Sequence, residues 1–252
     1  MSLPKNIWSQ KEYYDKIKSW DDLSHPGIKT IAAYIKDLHA ILDIGCGDGR
    51  KLTLLGSNTN FRVGTEVSTT PLINGNHLGV VALGEQLPFA DHSFNAVTSF
   101  FVLEHTQTPQ LVVEEVLRVL KPKGLLCFLA PNYGAPNRAS PNFQGSRLTK
   151  LITGFLSSFF FTNSLSWRQV TPQIDDINQF HSDLDTTVEP SLTSLIHFLG
   201  RRNMKLLHTS SYWDMETRHP KLHQKLFRVL SDLHLYPFIH WGPHLLAIAQ
   251  KS

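Results

Sequence analysis

The segment Ile41–Arg50, ILDIGCGDGR, carries the strongest chemical signal in this sequence. Its apolar start reads as a buried strand and runs directly into glycines at alternate positions, Gly45, Gly47 and Gly49, with Cys46 between the first two. Bare backbone there can approach a ligand that any Cβ would hold off. A helix starting near Asp48 would turn its free N–H groups and positive dipole end toward an anionic group such as a carboxylate. The dinucleotide fingerprint G-x-G-x-x-G needs glycine where Arg50 stands, which argues against NAD or FAD. Glu66 ends the next predicted strand, roughly 20 residues on, where a carboxylate can accept hydrogen bonds from both hydroxyls of a ribose. An acidic residue at that place also disfavours a phosphorylated ribose.

Other polar residues sit where strands should end. His105, in LEH after the strand Phe94–Val102, is a candidate general base or acceptor contact, with capping of the following helix as the alternative. Asn132 and Tyr133 either touch substrate or form a turn in PNYG. His219 with His223, and His240 with His244, have one-face helical spacing, yet neither pair has the Glu of a zincin or a neighbouring Cys cluster. No metal site is expected. No G-x-S-x-G element exists, which excludes the usual serine-hydrolase arrangement.

The elements that must position these groups follow from hydrophobic spacing. A helix is predicted over 28–38, with Ile28, Ile31, Ala32, Ile35 and Leu38 on one face. Buried strands are predicted at 40–45, 61–67, 80–83 and 94–102, separated by segments long enough for short helices. An amphipathic helix opens at Pro109 in Thr108–Leu120, KPKG stops it, and GLLCFLAPN gives the next strand. A parallel sheet with crossovers is the economical arrangement. From 133 to 188 the pattern loosens into what reads as a substrate-side insertion in a single domain covering 1–252. Its aromatics, Phe155, Phe159, Phe160, Phe161 and Trp167, either form a lid over an apolar or lipid-linked acceptor or, the plainer reading, pack the insertion onto the sheet. A helix ending at Gly200, the strands MKLLHTSSY and HLLAIAQK, and a helix-like stretch over 221–235 complete the chain.

Composition sets the outer bounds. The 252 residues are 41% hydrophobic and 18% charged, enough apolar material for a sizeable core and against general disorder. A net charge of +3, with scattered Lys and Arg, does not compel a nucleic-acid partner. Cys46 and Cys127 lie in apolar strand contexts and read as buried thiols. The amino terminus lacks the apolar run of a secretory signal, and LITGFLSSFFF is roughly half the length that spans a bilayer. A cytoplasmic protein follows, with peripheral membrane contact still open and no oligomeric state indicated.

Taken in order, ILDIGCGDGR, Glu66, GEQLPFADHSFNAV, FFVLEH and EEVLRVLKPKGLLCFLAPN resemble the class I S-adenosylmethionine-dependent methyltransferases, in particular the methyltransferase type 11 group, over about 38–132. The resemblance implies an α/β, Rossmann-like three-layer sandwich around a mostly parallel seven-stranded sheet, with GPHLLAIAQK as its antiparallel last strand. It places S-adenosylmethionine as cofactor, its methionine part held by Asp43 and the Gly45–Gly49 backbone with Cys46, and its ribose by Glu66. Gly84 and Glu85 would lie beside the adenine, and Ser99 with Phe100 would line the pocket. In EYYDKIKSW, Tyr13 or Tyr14 would cover the methionine end. Two departures stand out: Leu83 where the family usually has an acidic residue, and Asn95 where Asp is common. The implied activity is methyl transfer to a small molecule, a sugar, lipid-linked compound or secondary metabolite. An RNA methyltransferase and a cofactor-binding scaffold without transfer activity are the alternatives.

Overall fold

The chain turns back on itself after its third strand, and that reversal creates the crevice. The computed structural model describes residues 7–20, 23–55, 61–73, 77–160, 163–165, 167–174, 183–215 and 221–252. Strands β1 (Ala40–Ile44), β2 (Phe61–Glu66) and β3 (Leu78–Val81) are laid down outward from the centre of the sheet. The chain then crosses to the other side of β1 for β4 (Phe94–Phe100) and β5 (Leu120–Pro131). With β8 (Met204–Ser210) and β9 (His244–Lys251), the order is β3-β2-β1-β4-β5-β9-β8. β1 to β5 are parallel, and β9 runs antiparallel to both β5 and β8. In such a sheet, ligands bind outside the carboxyl ends of the strands where the order reverses, here between β1 and β4.

Strand alternation divides the core into two layers. Leu42 and Ile44 belong to one buried layer with Val112, Val113 and Val116 of α5 (Pro109–Val119) and Leu195 and Phe198 of α7 (Leu192–Arg201). Ile41 faces the other way, onto Ile28, Ile31 and Ile35 of α2 (Pro26–Ile35). All of these side chains are buried. Between β1 and β2 lies the short α3 (Arg50–Leu54), and α4 (Thr69–Leu72) follows β2.

Three boundaries differ from the predicted ones. α5 ends at Val119, before KPKG rather than at it, because Leu120 already pairs with Phe94 and β5 runs on through KPKG. The register then slips between Phe94 and Ala96, absorbed by Lys123 at φ 64° and Gly124. α3 begins at Arg50 rather than near Asp48, with Gly49 as its amino-terminal cap. Gly200 lies inside α7, and the left-handed residue beyond the helix is Asn203, at φ 57°.

The segment after β5 holds α6 (Arg147–Ser157) and a two-stranded ribbon of β6 (Arg168–Gln169) and β7 (Val188–Glu189). Buried Lys150 of α6 donates to buried Glu189 and to the Tyr133 carbonyl, which pins α6 to β7. Trp167 and Leu165 join the main core, so packing accounts for them. It does not account for Phe159 and Phe160, which are exposed, and Phe161 lies outside the described residues. α8 (Leu222–Asp232) precedes β9. No helix among the described residues is long and apolar enough to cross a membrane.

Candidate active site

A cavity of about 710 Å³ opens at the carboxyl ends of β1, β2 and β4. The loop after β1 supplies Gly45, Cys46 and Gly47, the end of β2 supplies Glu66, and the end of β4 supplies Phe100. The first helix, α1 (Lys11–Trp20), brings Tyr13 and Tyr14 to the same cavity.

The glycine loop is fixed by its own backbone. The Gly45 and Cys46 N–H groups both donate to the Thr65 carbonyl of β2, at 2.8 and 3.0 Å. Gly45, Gly47 and Gly49 all have positive φ, at 67°, 54° and 77°, a region costly to residues bearing a Cβ. The space beside them differs. A Cβ on Gly45 would stand 2.3 Å from Val102 Cγ2, and one on Gly49 would stand 2.1 Å from His77 Nδ1. At Gly47 nothing lies within 4 Å. Protein side chains therefore fill the room at Gly45 and Gly49, and open space remains at Gly47. Gly45 and Gly47 line the cavity, and Gly49 does not.

Glu66 is held by the same loop. The Gly47 N–H donates to Glu66 Oε2 at 3.1 Å, and the Val67 N–H to Oε1 at 2.8 Å. One amide thus orients each oxygen, and each oxygen keeps a further lone pair for a second donor. Burial raises the Glu66 pKa, opposed by the Val67 and Gly47 amides. Burial likewise pushes up the Cys46 thiol, whose Sγ lies 3.3 Å from His77 Nε2.

Asp43 and Ser99 lie beneath the cavity rather than in its wall. Asp43 is buried in β1 and accepts a 2.7 Å hydrogen bond from Thr98 Oγ1 of β4. Ser99 is fully buried. Leu83, Gly84 and Glu85 line the cavity. The Glu85 carboxylate also accepts from the Gln107 and Thr108 amides at the start of α5, at 3.0 and 3.2 Å. Asn95 Oδ1 accepts from the Ala40 amide at the start of β1, a structural task far from the loop.

His105 lies in the cavity wall within a cluster of acids. Its Nδ1 is 3.4 Å from both the carboxylate and the carbonyl of Asp185, and its Nε2 is 3.7 Å from Glu104. Burial works against charging His105, but the fields of Asp185, Glu104 and Asp183 outweigh it and hold the imidazole up to about 9. Burial pushes Glu104 up to about 8, with His105 opposing and Asp183 and Asp185 adding to the shift. The Tyr13 hydroxyl donates to Asp185 and that of Tyr133 to Asp183. Glu104, Asp183 and Asp185 all line the cavity and escaped the sequence reading.

A second missed group is a pair of rings on the opposite wall. His25 Nδ1 accepts from the Gly27 N–H at 2.9 Å, so its Nε2 carries the proton and faces His244 Nδ1 at 2.9 Å. Burial, with His25 and Arg138 adding to it, pushes His244 down to about 4. Asn132 is a clamp: its Nδ2 donates to the carbonyls of His240 and Gly242, and its Oδ1 accepts from Leu192 N. Among the described residues no cluster of three metal-ligating side chains exists. His219 lies outside them.

A seven-stranded sheet with one reversed strand, and a glycine loop facing an acidic residue at the switch point, define a Rossmann-like protein of the class I methyltransferase architecture. Comparison with known proteins agrees. Residues 42–128 match the family described as a methyltransferase domain. The chain is 37% identical over 130 residues to an uncharacterized protein of Methanocaldococcus jannaschii, spanning 48% of this chain and 51% of that protein. It is 34% identical over 120 residues to the thiol S-methyltransferase TMT1B of Mus musculus, spanning 40% of this chain and 48% of that protein. The solved S-adenosylmethionine-dependent methyltransferase from Mesorhizobium loti has the same fold, at a TM-score of 0.55 and 14% identity, covering 91% of this chain and 98% of that one. The chain spans about half the length of the curated relatives it matches. Residues 42–128 are thus similar to a methyltransferase domain, and the fold around them is the one seen in solved S-adenosylmethionine-dependent methyltransferases.

Proposed function

We propose that this protein transfers a methyl group from S-adenosylmethionine to a small-molecule acceptor, a sugar, a lipid-linked compound or a secondary metabolite, with the acceptor seated at the His105 end of the cavity. The observation that carries this reading is the placement of Glu66 against Gly47. A carboxylate oriented by two backbone amides stands beside the one glycine of the loop whose side-chain space is open. That arrangement suits a ribose diol at Glu66 and a close-packed amino-acid moiety along the loop. Asp43, two residues before Gly45 and outside the cavity wall, accepts from Thr98 and ties β1 to β4 at the base of the loop.

Bound S-adenosylmethionine supplies a methyl group already activated by its sulfonium. The protein's tasks are to hold the attacking atom in line and to keep water away. Tyr13 and Tyr14 of α1 are the groups placed to exclude water, because both line the cavity and both are largely buried. A base is needed only where the acceptor carries a proton at working pH, as a hydroxyl does. His105 serves there: Asp185 faces Nδ1 and fixes the ring, and Nε2 takes the proton once the imidazole has lost its own.

The test is a transfer assay with methyl-labelled S-adenosylmethionine and a fractionated metabolite extract. Label should enter a low-molecular-weight product and disappear with His105→Ala. Label appearing only in RNA, or in nothing, contradicts the proposal.

A further inference from the structure

Two helices of this protein carry their apolar faces outward. In α8 and its carboxyl-terminal cap, Leu222, Leu226, Val229 and Leu233 fall within about 60° of arc at 3.6 residues per turn. All four are exposed, from 54% to 84%, and the helix has no buried residue at all. In α6, Leu148, Ile152 and Leu156 repeat the pattern at 53% to 67% exposure, and the one buried residue of that helix is Lys150. A surface helix of a globular protein ordinarily does the reverse.

Aromatic rings link the ends of the two helices. Phe155 and Phe159 of the α6 end stand 5.5 Å apart, and Phe159 meets Tyr236 beyond α8 at 5.5 Å. Phe155, Phe159 and Tyr236 are themselves more than a third exposed, and Phe160 is 77% exposed. Contiguous apolar surface of this kind marks an interaction site.

Charge selects the partner. Residues 133–174 and 221–243 together contain seven Lys or Arg, of which Lys150 is buried against Glu189, and one acidic residue, Asp232. Arg147, Lys221, Lys225 and Arg228 flank the stripes, with Asp214 reaching in from outside to pair with Arg228 at 2.6 Å. A second copy of the chain would bring the same excess of cations to the same face. A bilayer with anionic headgroups offers both an apolar interior and a complementary charge. We infer that α6 and α8 seat this protein on an anionic membrane surface, each apolar stripe entering the headgroup boundary with the basic side chains at its rim. This inference is independent of the acceptor's identity.

Flotation of the full chain with lipid vesicles tests it, using phosphatidylcholine alone and phosphatidylcholine containing phosphatidylglycerol. The anionic vesicles should carry the protein, with binding to neutral vesicles weaker by about tenfold or more. The double variant Ile152→Glu, Leu226→Glu should lose about tenfold or more of the anionic binding while keeping the thermal midpoint of the parent chain. Failure to bind either vesicle, equal binding to both, or binding unmoved by the double variant overturns the inference. So does a concentration-dependent dimer in sedimentation velocity that Leu226→Glu dissociates, because a second copy would then be the occupant.

Discussion

The hydroxyl of Tyr13 donates to the carboxylate of Asp185 at 2.5 Å, across 172 positions of sequence, and ties the amino-terminal helix to the loop that carries the acids around His105. Both residues are buried, so the bond is shielded from competing water. It joins two parts of the cavity wall: α1, which brings Tyr13 and Tyr14, and Asp185, which faces His105 Nδ1.

Removing that donor leaves a buried carboxylate oxygen without its partner. Tyr13→Phe should cost about 1–3 kcal/mol of folding stability. Chemical denaturation of the variant and the parent chain measures it directly, and an unchanged midpoint would show that α1 is not held by this bond.

The charge on His105 sets the expected pH dependence. Its conjugate acid is held at about 9 by Asp185, Glu104 and Asp183 against the opposing effect of burial, so near neutrality the ring is protonated and cannot accept a proton. For an acceptor that must lose a proton, kcat/KM should therefore rise with pH and level off above about 9. Asp185→Asn removes the largest of the raising fields and should move that rise to lower pH. His105→Ala should lower kcat by about 10²–10⁴-fold with little effect on cofactor binding. A flat profile, or one that Asp185→Asn leaves in place, removes His105 from proton transfer.

The glycines of the loop separate folding from binding. Gly45→Ala puts a methyl group 2.3 Å from Val102 and should destabilise the fold by about 1–3 kcal/mol through overpacking, with backbone strain in addition. Gly47→Ala meets no protein atom within 4 Å, so it carries only the strain of its positive φ. Gly47 itself lines the cavity, and a methyl group there enters open space. It should weaken cofactor binding more than Gly45→Ala does, relative to the stability each loses. Thermal unfolding with and without S-adenosylhomocysteine checks both. Equal loss of binding in the two variants would contradict the distinction.

The central sheet and the glycine–acid element were legible in the sequence because both are local. A mostly apolar run, three glycines and an acidic residue at the next strand end lie within Ile41 to Glu66. What stayed hidden was long-range. Asp183 and Asp185 come from an irregular loop with no periodicity, and only tertiary packing brings them to His105. His25 and His244 meet across 219 positions, and the spacing of His244 from His240 pointed instead to a helical face that the structure gives to a turn and a strand. The role of Phe155 in α6, and of Phe159 and Phe160 beyond it, stayed open for another reason. Hydrophobic spacing shows that one helix face is apolar, but not whether that face turns inward.

Calorimetric titration of S-adenosylhomocysteine into the parent chain and into Glu66→Ala is the most direct test of the account. Loss of charge-assisted hydrogen bonds to the ribose should raise Kd by about 10–100-fold, beyond the fall in the unliganded thermal midpoint caused by leaving the Gly47 and Val67 amides without their acceptor. Binding of equal strength in the two proteins would contradict the claim that Glu66, held by Gly47, grips the cofactor.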